Sequence, residues 1–76
     1  MTLADLRAGA RAAIVKIDAR DPAVQRLMTL GLVEGVEVEF LQASLGGDPL
    51  EIRVFGAAIS LRREQARAFA VSPLTA

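Results

Sequence analysis

Glu37, Glu39 and Glu51 are the side chains whose type and spacing best support chemistry. The first two stand two apart and share one face of a strand, and Glu51 can lie opposite them on a neighbouring strand. Carboxylates gathered in that way offer either an acid–base pair or oxygen ligands for a cation. Their plainer reading is a solvated face paired with Arg53 and Arg62, and that reading is favoured.

No other residues assemble a catalytic set. The chain has no histidine and no cysteine, so the commonest general base and the thiolate nucleophile are both missing. Ser44, Ser60 and Ser72 read as turn and surface residues. Gly46-Gly47-Asp48 is not followed by Gly-Lys-Ser or Gly-Lys-Thr, nor by a helix, so it is a plain turn rather than a phosphate loop. Fe(II) and Zn(II) are usually held by imidazole and thiolate, which leaves only weak, adventitious coordination at Glu37, Glu39 or Asp48. No catalytic residue, no dedicated metal site and no cofactor are expected.

Seventy-six residues fit one small domain, here 1–76, and 53% apolar content supplies a core. Nine basic and nine acidic residues sum to zero charge, so no field gathers nucleic acid or anionic lipid. Without cysteine the fold cannot lean on disulfides, and a reducing cytosol is the expected location. Asp5 and Arg7 interrupt the first apolar stretch, which spoils a signal peptide, and no apolar run is long enough to span a bilayer.

The elements that position these residues follow from local patterns. Thr2-Leu3-Ala4-Asp5 has the form of a capping box, with Gly9 to stop the turn. Arg11 to Asp18 sets Ala13, Val15 and Ile17 against Ile14, Lys16 and Asp18, a half-buried strand. Asp21-Pro22 starts a helix that buries Val24, Leu27 and Met28, turns Gln25 and Arg26 outward, and closes at Gly31. Val36, Val38 and Phe40 face inward on a second strand, Ile52 and Val54 on a third, and Ser44 to Pro49 forms a protruding loop between them. After a turn at Gly56, Ile59 and Leu61 form a short strand; Glu64 to Phe69 makes a helical turn, and Ala70-Val71 adds a last strand. Five short strands with one inserted helix suggest a small, bent antiparallel barrel, with a two-layer α+β arrangement as the alternative.

Some apolar residues fall out of phase with that core. Leu41, Leu45, Leu50 and Phe55 lie on the opposite face or in the loop, and Leu32 lies just past the helix end. A barrel this small cannot hide them all, and an apolar patch on a neutral domain without catalytic groups points to a protein partner. Leu32, Leu41, Leu45 and Phe55 are the candidate partner-binding residues, with weak self-association or plain scatter as the competing readings.

The ordered set Arg26-Leu27-Met28-Thr29-Leu30-Gly31-Leu32-Val33-Glu34-Gly35, then Gly46-Gly47-Asp48-Pro49, Arg53-Val54-Phe55-Gly56 and Ile59-Ser60-Leu61-Arg62 resembles the FeoA-like family. The family shows an R-L-x-x-L-G-L-x-x-G helix end, a G-D-P turn, a strand closing in Gly and an aliphatic-x-L-R segment, so the resemblance spans nearly the whole chain. Two departures touch the contact surface rather than the fold. Glu34 stands where Pro is common, and Ala57-Ala58 replaces a bulkier pair, often aromatic and basic.

The resemblance implies an all-β, SH3-like barrel and a non-enzymatic, cytosolic accessory protein of bacterial ferrous iron uptake. Its implied partner is the cytoplasmic region of a FeoB-like iron permease, with no nucleic acid bound and no membrane insertion. The second reading is the barrel domain of an iron-dependent transcriptional regulator, making protein or metal-linked regulatory contacts. A chain of this length that starts at Met1 with its own cap and shows no helix-turn-helix weighs against that. A small RNA-binding barrel would need a basic stripe with interleaved aromatics, which is not visible.

Overall fold

The computed structural model describes residues 1–74. The N-terminal capping box forms as the residues demand: Thr2 N–H donates to the Asp5 carboxylate at 2.7 Å and the Thr2 hydroxyl accepts from Ala4 N–H at 3.3 Å. This closes one 3-10 turn, Leu3–Asp5, and drops Leu3 into the core. β1 follows at Arg11–Ile17. Its phase is the reverse of that expected, since Ala12 and Ile14 are buried and Val15 faces water. The cause is a bulge between Ile14 and Lys16, which shifts the inward phase so that Ile17 returns to the half-buried face.

α1 (Pro22–Thr29) is capped by the Asp21 carboxylate, which accepts from Ala23 N–H at 2.8 Å, with Pro22 at the position where no donor is needed. Val24 and Leu27 are buried and Met28 half-buried, while Gln25 and Arg26 face out. The helix ends in a Schellman motif. Gly31, at φ 114°, donates to Met28 C=O at 3.1 Å, and Leu32 N–H donates to Leu27 C=O at 3.3 Å.

β2 (Glu37–Ala43), β3 (Leu50–Val54) and β4 (Ala57–Leu61) form a meander, α2 (Arg63–Ala66) follows, and β5 (Phe69–Pro73) returns beside β1. The sheet is antiparallel throughout, in the order β4-β3-β2-β1-β5. A second bulge, between Phe40 and Gln42, bends β2 where the sheet rolls over its own core. Three boundaries differ from the sequence reading. β4 and β5 are longer than expected, and the helical turn stops at Ala66, so that the fully buried Phe69 opens β5 instead. Leu50 is also buried, in phase with Ile52 and Val54, rather than outward.

The Ser44–Pro49 loop protrudes but is held at its base. Asp48 accepts from Arg63 N–H at 2.9 Å, Gly47 C=O accepts from Arg63 Nε at 3.0 Å, and Ala4 C=O accepts from Arg63 Nη1 at 2.7 Å. One guanidinium thereby ties the loop to the N-terminal turn, and the Asp48 carboxylate caps α2.

Candidate functional site

The carboxylates do not gather. Glu37 pairs with Arg11 and Glu39 with Arg53, each at 3.2 Å, while Glu51 accepts from the Gln42 amide at 3.0 Å. Arg62 is not a partner to them; Arg11 takes the place assigned to it, because β1 lies beside β2 and Arg11 stands across from Glu39, two residues from Glu37 along β2. Asp48 is committed to the start of α2. Among the described residues no three acidic, cysteine or histidine groups are placed to hold a metal ion, so the side chains present do not fit a metal centre. These exposed pairs each contribute little to stability.

A separate pair lies before α1. Arg20 grips Asp18 with Nε at 2.8 Å and Nη2 at 2.6 Å, and its own N–H adds a third bond. The Arg20 side chain first, then that backbone bond, lower the Asp18 pKa to about 2. Reciprocally, Arg20 is held more firmly protonated.

A shallow hollow of about 490 Å³ opens between the N-terminal segment and the end of β5, with Met1, Leu6, Ala10, Pro73 and Leu74 on its walls. Of the charged groups at its rim, Asp5 is engaged by Thr2 N–H and Arg11 by Glu37, and Arg7 lines it as well. It presents no converging polar set of the kind a reaction needs.

The apolar candidates separate clearly. Leu32 is completely buried and is withdrawn from the surface. In a Schellman motif the residue after the glycine folds back over the helix, and here that residue is Leu32, stacked on the Leu27 turn. Leu41 is half-buried because it sits in the β2 bulge. Leu45 is fully exposed in the loop, with Ser44 and Gly46 beside it. Phe55 is 78% exposed, though not by strand alternation. β3 ends at Val54, and Phe55 occupies the β3–β4 turn at φ 51°, the one non-glycine residue among those described with a left-handed backbone.

From that turn the Phe55 ring rests over Gly31, where an added Cβ would come within 3.3 Å of it. Leu30 and Val33, one and two residues from Gly31 in the chain, are also exposed, at 56% and 39%, so the region made of the end of α1, the turn after it and the β3–β4 turn, the apex, carries three exposed large apolar residues. Leu30 and Val33 were not singled out from the sequence. The signal available was that Gly31 closes the helix, which places the residues on either side of it at a surface corner.

The FeoA domain family matches residues 1–73. A Porphyromonas gingivalis protein described as an Fe(2+) transport protein A/Fe(2+) transporter FeoB fusion is 33% identical over 66 residues, 87% of this chain; the chain spans only 8% of that relative's length. Among solved structures, the FeoA protein of Chlorobium tepidum superposes with a TM-score of 0.89 at 39% identity, covering 99% of this chain and 71% of that one. FeoA of Stenotrophomonas maltophilia, solved with zinc and described as a procaryotic SH3 domain protein, gives a TM-score of 0.83 at 32% identity, covering 95% and 89%. A manganese-dependent transcriptional repressor shares the fold alone, at 21% identity and a TM-score of 0.84 over 36% of its chain. The rolled five-stranded sheet is thus an SH3-like barrel, and with a family match running from residue 1 to residue 73 the chain belongs to the FeoA family of ferrous iron uptake.

Proposed function

We propose that this chain is a non-enzymatic, cytosolic accessory protein that docks on the cytosolic region of a FeoB-like ferrous iron permease through the apolar apex around Phe55. The observation that carries the reading is Phe55 itself: an aromatic ring held in water by a left-handed turn and laid over a glycine, beside exposed Leu30 and Val33. Large apolar residues so placed cost solubility unless a partner covers them. The fused relative supports the choice of partner, since linking two modules in one polypeptide raises their effective concentration for each other. The neutral chain offers no steering field, so affinity has to come from packing.

The docking is tested by calorimetric titration of the permease's purified cytosolic region with wild type and with Phe55→Glu. A ring at the centre of an interface is worth 2 kcal/mol or more, roughly thirtyfold in affinity, and a carboxylate in its place would be desolvated without a partner. The variant is expected to melt as wild type does and to lose binding at least thirtyfold. Unchanged affinity would remove Phe55 from the interface and pass the role to Leu41 and Leu45. The regulator-like reading rests on fold alone and stands second.

A further inference from the structure

Zero net charge is not spread evenly over the surface. Lys16 near the end of β1, Arg20 in the connection to α1 and Arg67 just past α2 line one hollow of about 520 Å³. Backbone pairing fixes its shape: Lys16 stands across from Ala70 and Ile17 from Phe69, and Asp18 N–H donates to Ala68 C=O at 2.8 Å. Ala19, Ala68 and Ala70 line it too, with side chains too short to fill it. Its one acid, Asp18, is already held by Arg20 through Nε at 2.8 Å and Nη2 at 2.6 Å. The other cations that find partners do so within the fold: Arg11 pairs with Glu37, Arg53 with Glu39, and Arg63 binds the carbonyls of Gly47 and Ala4. Lys16 and Arg67 belong to no ion pair among the described residues, although Arg67 also borders a neighbouring hollow with Asp21 and Glu64.

We propose that this hollow binds the phosphate monoester group of a small molecule. Charge selects that class. With Asp18 and Arg20 cancelling each other, Lys16 and Arg67 bring two uncompensated positive charges to one space. A phosphate monoester carries close to two negative charges at neutral pH, because its second pKa is about 6. A carboxylate carries one, and the hollow already contains one. The donors suit the same group: a guanidinium offers its planar fork to two phosphate oxygens, and an ammonium adds a compact charge with three donors. The volume lies in the range of small-ligand clefts. No aromatic ring lines it, so nothing there would stack on a nucleobase, and a sugar or polyol phosphate fits better than a nucleotide. Both free cations are exposed, so the affinity is modest, about millimolar. The hollow lies before α1 and the Phe55 apex after it, so this proposal does not rest on the docking.

The test is amide NMR titration of the full chain with glucose 6-phosphate, inorganic phosphate and glucose, with ionic strength matched by sodium chloride. Both phosphates are expected to give saturable shifts at Lys16, Asp18 to Arg20, Arg67 and Ala68, with glucose silent. Lys16→Gln with Arg67→Gln, both at exposed positions, should weaken binding at least about tenfold. Arg7→Gln with Arg26→Gln removes the same charge outside the hollow and should leave binding unchanged. From about pH 7.5 to about pH 5 the affinity should fall, because the phosphate loses a charge. Asp18, its pKa held at about 2, stays ionised across that range, and protonation of Asp21 or Glu64 beside Arg67 would strengthen binding instead. Shifts that merely follow sodium chloride, never saturate or spread over all the cations would show an adventitious ion only and overturn the proposal, as would equal losses in the two double variants. Glucose binding as well as its phosphate would overturn it too. If a variant fails to fold, wild type decides: affinity for phosphate that does not fall toward about pH 5 overturns it.

Discussion

Two turns of this barrel each hold a large apolar side chain in water, and they do so by opposite means. At the Ser44–Pro49 loop the backbone is fixed, with the Arg63 side chain gripping Gly47 and the Asp48 carboxylate gripping the start of α2, while Leu45 stands alone among Ser and Gly. At the β3–β4 turn the backbone itself turns left-handed: Phe55 adopts φ 51° and its largely exposed ring lies near Gly31, whose chain neighbours Leu30 and Val33 are exposed as well. A left-handed backbone at an aromatic residue is costly, and surrounding structure must hold it there. Exposure alone therefore does not mark a contact surface. In the docking proposed above, the contact is the left-handed apolar residue at the apex and not the solitary one on the pinned loop.

The comparison breaks first on stability. The completely buried Leu32, next to Gly31, is expected to cost about 2 to 5 kcal/mol on replacement by Ala, whereas Leu45→Ala should stay within about 0.5 kcal/mol. Denaturant melts decide; equal losses would mean that the two turns are equally part of the core.

A smaller effect separates the glycines of the two regions. Gly31 (φ 114°) and Gly46 (φ 84°) both need a left-handed backbone, so Ala at either should cost about 1 to 2 kcal/mol. At Gly46 the new methyl enters open space, but at Gly31 it meets the Phe55 ring at 3.3 Å. Gly31→Ala is expected to lose more stability than Gly46→Ala and to shift the Phe55 ring resonances, which Gly46→Ala leaves in place. Identical behaviour in melts and spectra would detach Phe55 from Gly31.

Much of this architecture can be read in the residues. Asp21-Pro22 and Gly31 mark α1 because capping and helix closure are local chemistry, and the alternation of Val38 and Phe40 marks the core face of β2. The errors share a physical origin in bulges and in motifs that fold the chain back. The bulge after Ile14 reversed the apparent phase of β1, and the one beside Leu41 left that side chain half-buried. Leu32 was misplaced although its signal was present: a helix closed by Gly31 puts the next residue on the helix, not in solvent. The Arg63 tether could not be read at all, since its partners lie 16 and 59 residues away in the chain.

The smallest expected effect belongs to neither turn and serves as their reference. Arg20 holds the Asp18 pKa at about 2, below the ordinary 3.8. A carboxylate with a lowered folded pKa stabilises the protein fully above the ordinary value and loses that contribution as pH falls from about 3.8 through about 2. The pair is exposed, so the pH dependence of the melt should be slight. Carboxyl NMR titration should place the Asp18 midpoint near 2, and Arg20→Ala should return it toward the ordinary range.

The most direct test of the contrast between the two turns is amide chemical-shift mapping of this chain as the purified cytosolic region of a FeoB-like permease is added. Docking through the apex predicts perturbations concentrated at Leu30 to Val33 and at Phe55 and Gly56, with Ser44 to Asp48 unmoved. Perturbations centred on the Leu45 loop, with the Phe55 turn silent, would contradict it.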